Sequence, residues 1–148
     1  VWWIAGEGVE RKKIQANIKK FHVEKEVKLL GQVKDVSALY ENALIYVMTS
    51  KYEGLPMVLL EAKGYSLPCI SFDILTGPSE IIQDGIDGFL VPEIEEKDGL
   101  SKMMLEKIET LLCNKNLYET FVAHAKDNID KFQMSTVIGE WENLFSEL

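Results

Sequence analysis

The chain has little cysteine, little proline and no long hydrophobic run. Its 148 residues include two cysteines and four prolines. Cys69 and Cys113 stand far apart and form no CxxC pair, which argues against a zinc site or a disulfide framework and favours a reducing compartment. We expect both thiols to be buried and structural. The longest apolar run, residues 43–48, is far shorter than the roughly 18 residues needed to span a bilayer.

Positive charge is also scarce. The formal net charge is −8, which argues against nucleic acid as the main partner. Residues 1–34 are the exception, with eight Lys or Arg against four Glu. Five of the basic side chains, Arg11, Lys12, Lys13, Lys19 and Lys20, lie on a helix predicted at residues 10–21. A solvated helix face is the first interpretation, and peripheral contact with an anionic membrane surface is the second.

Short apolar runs alternate with amphipathic stretches along the chain. The apolar runs predict five strands at residues 1–5, 27–30, 44–48, 68–72 and 89–91, the first of them a core strand. The other stretches predict helices at residues 10–21, 36–41, 56–66, 77–85, 99–113, 117–131 and 136–148. Strands separated by helices pair in parallel through crossover connections. The predicted fold class is therefore α/β, a Rossmann-like, doubly wound parallel sheet of about five strands flanked by helices.

Residues 50–62, Ser-Lys-Tyr-Glu-Gly-Leu-Pro-Met-Val-Leu-Leu-Glu-Ala, are the most informative stretch. A strand ends, a glycine turn follows and a helix starts at Pro56, where free backbone N–H groups can bind phosphate. Glu53 precedes this helix and Glu61 lies inside it, and carboxylates accept hydrogen bonds from sugar or ribose hydroxyls. The stretch suits a ligand with phosphate and polyol groups. The alternative has equal weight: Glu61 is exposed to solvent, and Glu53 interacts only with the start of its own helix.

Glu53 and Glu61 stand in an E-x7-E spacing within this stretch. It resembles the signature of glycosyltransferase family 4 (glycosyl transferases group 1), retaining enzymes of the GT-B fold. Other segments resemble the family in the same order along the chain: IAGEG at 4–8, VKLLGQV at 27–33, LYENA at 39–43, TGPSEII at 76–82 and DGIDGFLV at 84–91. The resemblance covers essentially the whole chain.

The resemblance assigns a role to each matching residue. It implies that Glu61 holds the ribose hydroxyls of a nucleotide, and that Glu53 contacts hydroxyls of the transferred sugar as the catalytic residue. The remaining donor-binding residues would line the sugar and diphosphate (Gly54, Leu55, Pro56, Met57 and Val58), meet the nucleobase (Val33 and Leu39), or admit the donor close to the backbone (Gly6 and Gly8).

The resemblance also implies a reaction. A hexose or N-acetylhexosamine would pass from a UDP- or GDP-linked donor to a saccharide or lipid-linked acceptor, without metal or other cofactor. This would occur in the cytoplasm or at the inner face of the membrane.

Residues 1–148 would form a single nucleotide-sugar-binding domain, the C-terminal half of a GT-B enzyme. The family's diphosphate-clamping Arg and Lys, and its acceptor-binding domain, have no counterpart in this sequence. Because the chain also starts inside a predicted strand without Met, we expect it to be part of a longer protein and inactive alone.

The chain departs from the family pattern at Lys63, Gly64 and Ser66, which replace a small or apolar run ending in Gly, and we expect Lys63 to face solvent. Two other functions stay open. One is a sugar-nucleotide epimerase of the same fold, which needs its own acid and base, and the other is a non-enzymatic α/β signalling module such as a receiver domain. The E-x7-E context favours a transferase.

Overall fold

The computed structural model describes residues 1–92 and 97–147, which form parallel strands and helices in alternation. The elements in chain order are β1 (Trp2–Ala5), α1 (Arg11–Lys20), β2 (Val27–Gly31), α2 (Ser37–Asn42), β3 (Tyr46–Met48), α3 (Met57–Gly64), β4 (Cys69–Asp73), α4 (Pro78–Ile81), β5 (Gly88–Pro92), α5 (Lys97–Cys113), α6 (Lys115–His124), a 3₁₀ turn (Asp130–Phe132) and α7 (Met134–Ser146).

The strands are hydrogen-bonded into two parallel sheets. One contains β1 and β2, and the other contains β3, β4 and β5 in that order. The predicted α/β class, with parallel strands flanked by helices, is confirmed, but the expected single sheet is replaced by two. A hydrophobic run identifies a strand by its local pattern and carries no information about which strand it pairs with.

Contacts group the chain into two compact units, Val1–Leu39 and Tyr40–Leu148. In the first unit β1 pairs with β2 from Trp2 opposite Val27 onward. All four residues of β1 are exposed, so the expectation of a core strand was wrong. A unit of this size has too little chain to cover both faces of a sheet.

The second unit holds the hydrophobic core. Buried side chains of β4 and β5 pack against α5 and α6, and they form one cluster of Ile70, Phe89, Val91, Met104, Ile108, Leu111 and Phe121. The rings of Phe89 and Phe121 meet edge to face at 5.0 Å between centroids, the arrangement that aromatic quadrupoles favour. This core anchors the strands whose carboxyl ends carry the loops after β3 and β4.

Several helices are shorter than the sequence predicts. α4 ends at Ile81, because Ile82 is extended and the N–H of Gln83 donates to Asp87 Oδ1 at 2.9 Å instead of continuing the helix. α6 ends at His124, and the following 3₁₀ turn is separate from it. Leu148, the last residue of the predicted closing helix, lies outside the described residues.

The two cysteines have different environments. Cys69 in β4 is buried, and burial raises the pKa of its thiol to about 12. Cys113, at the end of α5, is exposed, so the expectation that both thiols are buried was wrong for this one. Both are free cysteines.

The basic helix α1 is partly neutralised by its own neighbours. Arg11 pairs with Glu7 at 2.6 Å, and Lys13 pairs with Glu10 at 2.9 Å. Lys19 and Lys20 lie in the last turn of α1, where their positive charge interacts favourably with the negative end of the helix dipole.

In the part of the chain that the structure describes, no helix is both long and apolar enough to cross a bilayer. Membrane contact through α1 stays a prediction.

A buried ion pair joins α3 to the turn before β5. The Lys63 ammonium contacts Asp87 Oδ2, and both side chains are almost fully buried, at 0% and 1% exposure. The expectation that Lys63 faces solvent was therefore wrong. A buried charge is tolerated only when a partner compensates for its lost hydration, and Asp87 lies 24 residues further along the chain, where no local pattern reveals it.

Ser66 follows α3 in a conformation that favours glycine. Its φ is +60°, and its N–H donates to the carbonyl of Lys63 at 2.8 Å, closing the end of the helix. Glycine adopts this conformation without a Cβ clash, whereas serine does not. The serine therefore keeps the turn at the cost of local strain.

Breaking the buried pair should strongly destabilise the protein. We expect Lys63→Met to lower the free energy of unfolding by about 3–5 kcal/mol, because it leaves the Asp87 carboxylate buried without a counter-charge. The double variant Lys63→Met/Asp87→Asn should lose clearly less than the sum of the two single losses. Urea unfolding followed by circular dichroism measures Lys63→Met, Asp87→Asn and the double variant, with Lys115→Met in the exposed Lys115–Glu119 pair as control. Additive losses would contradict a coupled pair.

Candidate functional site

The start of α3 is open to solvent. Pro56 is the N-cap, with extended backbone angles and no side-chain oxygen to cap the helix, and α3 begins at Met57, one residue later than predicted. Met57 and Val58 are 58% and 39% exposed. The first N–H groups of a helix have no acceptor within the helix, and the helix dipole adds partial positive charge there. This terminus can therefore receive an anionic group.

The loop before α3 is held by the loop after β4. Thr76 Oγ1 donates to the carbonyl of Glu53 at 2.6 Å. Gly77 has a φ of +98°, and a Cβ built on it would lie 2.6 Å from both the Gly54 carbonyl oxygen and Pro56 Cδ. Only glycine permits this approach. The backbone from Glu53 to Pro56 is thus fixed from outside its own segment.

Glu61 projects from α3 beside a buried tyrosine. The hydroxyl of Tyr40, in α2, donates to Glu61 Oε2 at 2.9 Å. Glu61 itself is exposed, while Tyr40 is only 8% exposed. The ring of Tyr40 stacks on Tyr65 at 5.3 Å with 23° between their planes, and lies 6.1 Å from the ring of Tyr46. One carboxylate oxygen is therefore tied to a packed aromatic group.

The two predicted carboxylates act on the same tyrosine. The pKa of Tyr46 is raised to about 12, chiefly by burial and next by charge on Cys69. Glu53 and Glu61 both contribute to this rise, so each lies within electrostatic reach of one phenol. The negative charges of both predicted carboxylates therefore act on one buried phenol.

Three predicted site residues of the first unit, Gly6, Gly8 and Val33, follow its two strands, and the fourth, Leu39, lies in α2. Gly6 follows β1 with a φ of +130°, and its N–H donates to the carbonyl of Gly31 at 2.7 Å. A Cβ at Gly6 or Gly8 would meet open space. Val33 and Leu39 are half-buried. Their predicted roles toward a donor stay predictions.

The sequence did not reveal the partners that position the candidate site. Tyr40 and Thr76 lie in the family-like segments LYENA and TGPSEII, but no local pattern indicates their roles, because their partners stand 21 and 23 residues away. Tyr65 had one usable signal, since it is four residues from Glu61 and so shares its helix face. Over residues 1–92 and 97–147, no group of three or more His, Cys, Asp or Glu side chains is arranged to hold a metal ion.

Residues 1–128 match the family described as Glycosyl transferases group 1. The chain belongs to this family, and the resemblance identified from its motifs is confirmed.

Relatives in the family include bacterial glycosyltransferases. The chain is 34% identical over 143 residues to the amylovoran biosynthesis glycosyltransferase AmsD of Erwinia amylovora, covering 97% of this chain and 39% of that protein. It is 33% identical over 145 residues to the GalNAc-alpha-(1->4)-GalNAc-alpha-(1->3)-diNAcBac-PP-undecaprenol alpha-1,4-N-acetyl-D-galactosaminyltransferase of Campylobacter jejuni, covering 98% of this chain and 38% of that protein. The chain therefore spans less than half the length of either relative.

A solved structure shows the same fold. The crystal structure of the pneumococcal O-GlcNAc transferase GtfA in complex with UDP and GlcNAc matches with a TM-score of 0.87 at 27% sequence identity. The match covers 98% of this chain and 29% of that one. The predicted membership of the GT-B glycosyltransferase fold is confirmed.

Adding a side chain at Gly77 should disturb the site's scaffold. We expect Gly77→Ala to lower the free energy of unfolding by about 2 kcal/mol or more, because alanine is strained at this φ and its Cβ would press on the Glu53–Pro56 backbone. Gly139→Ala in α7 is the matched control, since its Cβ meets open space and should stabilise the helix by about 1 kcal/mol. Urea unfolding measures both, and a Gly77→Ala protein as stable as the parent would refute the close approach.

Proposed function

We propose that this chain is the nucleotide-sugar-binding, C-terminal half of a retaining glycosyltransferase. The observation that carries the proposal is the exposed start of α3 between two carboxylates, Glu53 and Glu61, on a backbone fixed by Thr76 and Gly77. A nucleotide sugar presents diphosphate between two groups rich in hydroxyls. The charge and hydrogen-bonding pattern of this segment is complementary to that order.

The diphosphate would meet the start of α3. Backbone N–H groups of Met57 and Val58, with the helix dipole, would stabilise the negative charge that grows on the diphosphate as the sugar departs. Leu55 and Gly54 would line the path from the diphosphate to the sugar. This stabilisation needs no metal or cofactor, and we propose that the reaction uses none.

The two carboxylates would hold the two ends of the donor. Glu61 would accept hydrogen bonds from ribose hydroxyls, and Glu53 would accept them from the transferred hexose or N-acetylhexosamine. Binding at both ends of the donor would restrain the bond between the transferred sugar and the diphosphate, which lowers the entropic part of the activation barrier for its cleavage. Val33 and Leu39 stay proposed for the nucleobase, and Gly6 and Gly8 for close approach of the donor to the backbone.

UDP is our first choice of nucleotide, and GDP is the second. The pneumococcal GtfA structure contains UDP and GlcNAc. Its fold matches 98% of this chain. The acceptor would be a saccharide or a lipid-linked saccharide, bound by a further domain and met in the cytoplasm or at the inner face of the membrane. The name of the Campylobacter relative includes an undecaprenol-linked saccharide, which supports the lipid-linked option.

Removing the ribose carboxylate should weaken nucleotide binding. We expect Glu61→Ala to raise the Kd for UDP about 10- to 100-fold, because a hydrogen bond to a charged group contributes about 1.5–3 kcal/mol. Titration calorimetry of the full-length gene product with UDP and with GDP measures this. Glu109→Ala, which removes an exposed helical carboxylate in α5, should leave both affinities unchanged. Unchanged affinities in Glu61→Ala would refute the ribose assignment.

Replacing the sugar carboxylate should affect turnover and spare nucleotide binding. We expect Glu53→Gln to lower kcat about 10²-fold, because the transferred sugar loses a contact that orients it. The Kd for UDP should stay the same, because UDP lacks the transferred hexose that Glu53 is proposed to contact. UDP release from UDP-GlcNAc, UDP-GalNAc and UDP-glucose, with and without acceptor, measures kcat. Normal turnover with weakened UDP binding would reverse the proposed roles.

Product analysis with donor alone tests the reaction class. A transferase should return unchanged or hydrolysed donor sugar. An epimerised nucleotide sugar would identify the same site as an epimerase instead.

A further inference from the structure

We propose that Tyr40 is a positioning residue that holds Glu61 ready for the ribose of the donor. This inference rests on the proposed function, since it concerns the same carboxylate. The contact is the hydrogen bond from the Tyr40 hydroxyl to Glu61 Oε2, at 2.9 Å, between α2 and α3. Tyr40 is buried while the carboxylate that it holds is exposed, so the bond joins the protein interior to the candidate ligand surface.

Aromatic packing fixes the position of this hydroxyl. The Tyr40 ring stacks on Tyr65, 5.3 Å away between centroids, and its other close aromatic neighbour is Tyr46 at 6.1 Å. Tyr65 immediately follows α3, four residues after Glu61, so one end of α3 supplies both the carboxylate and the stacking ring. The tyrosine therefore keeps its place relative to the helix that carries Glu61.

The bond leaves Glu61 able to bind a ligand. A phenol donates one hydrogen bond, whereas a carboxylate has about four acceptor positions on two oxygens. With Oε2 held by Tyr40, Oε1 stays available for a ribose hydroxyl. A free glutamate must lose rotamer freedom when it binds, and a glutamate already held by Tyr40 loses less. The expected benefit is tighter and more selective ribose binding.

Tyr40 keeps its proton over the range in which proteins work. Burial, together with the hydrogen bond and negative charge of Glu61, raises the pKa of Tyr40 above the ordinary tyrosine value. The hydroxyl is thus a constant donor, and its contact with Glu61 is charge-assisted.

The test measures ribose recognition with and without the Tyr40 hydroxyl. The ratio of the Kd for 2′,3′-dideoxy-UDP to the Kd for UDP is determined by titration calorimetry in the full-length gene product. We expect Tyr40→Phe to reduce this ratio about three- to tenfold, toward its value in Glu61→Ala. A role in stability alone would weaken both nucleotides equally, so an unchanged ratio would overturn the proposal.

Tyr118→Phe is the matched control. It removes a tyrosine hydroxyl that donates to the carbonyl of Leu44 at 3.1 Å, from a half-buried position in α6. We expect this variant to lose a comparable hydrogen bond and to keep the parent ratio. A fall of equal size in Tyr118→Phe would show that the effect is not specific to Glu61 and would overturn the proposal.

Two further measurements keep the result decisive. If Tyr40→Phe does not fold, Tyr65→Leu removes the half-exposed stacking ring and leaves the Tyr40 hydroxyl, and the ratio should still fall. An unchanged ratio in Tyr65→Leu would overturn the proposal.

If the parent protein binds neither UDP nor GDP, the proposed function itself is wrong. Ribose-dependent binding that is indifferent to Tyr40 would refute only the positioning role. If the parent binds GDP alone, the same ratio is measured with 2′,3′-dideoxy-GDP and GDP.

Discussion

The buried pair of Lys63 and Asp87 is the interaction on which the geometry of the second unit depends most. It brings two full charges out of water, where each is stable only in the presence of the other. Lys63 belongs to α3, and Asp87 belongs to the turn that leads into β5. Any displacement of α3 along the sheet would separate these charges at high energetic cost. The helix therefore has a defined position before any ligand binds.

The candidate site uses this fixed helix. α3 presents its exposed start and the exposed Glu61, and a neighbouring loop holds the backbone ahead of the helix through Thr76 and Gly77. Electrostatic stabilisation is effective when donors are already in place, because the protein then spends no free energy on ordering them during the reaction. The ion pair, the loop contact and the Tyr40 hydrogen bond each hold part of this segment in place, which is what the proposed function requires.

Much of the fold could be predicted from the sequence because its signals are local. Alternation of apolar runs and amphipathic stretches predicts strands and helices in the observed order, and glycine and proline mark their ends. The helix near Pro56 was predicted to within one residue at its start. Errors arose where a distant partner decided the outcome. α4 is shortened by Asp87, and Lys63 is buried because that same carboxylate compensates its charge.

The sequence by itself determined the family, the parallel α/β class and the pair of glutamates at a helix start, because each of these has a signal in residues that are close together along the chain. Only the tertiary structure decided that the strands form two sheets, that Lys63 is buried, and that Tyr40 holds Glu61. These features join residues about 20 or more positions apart. Such contacts follow from packing and from the compensation of buried charge, which no local spacing encodes.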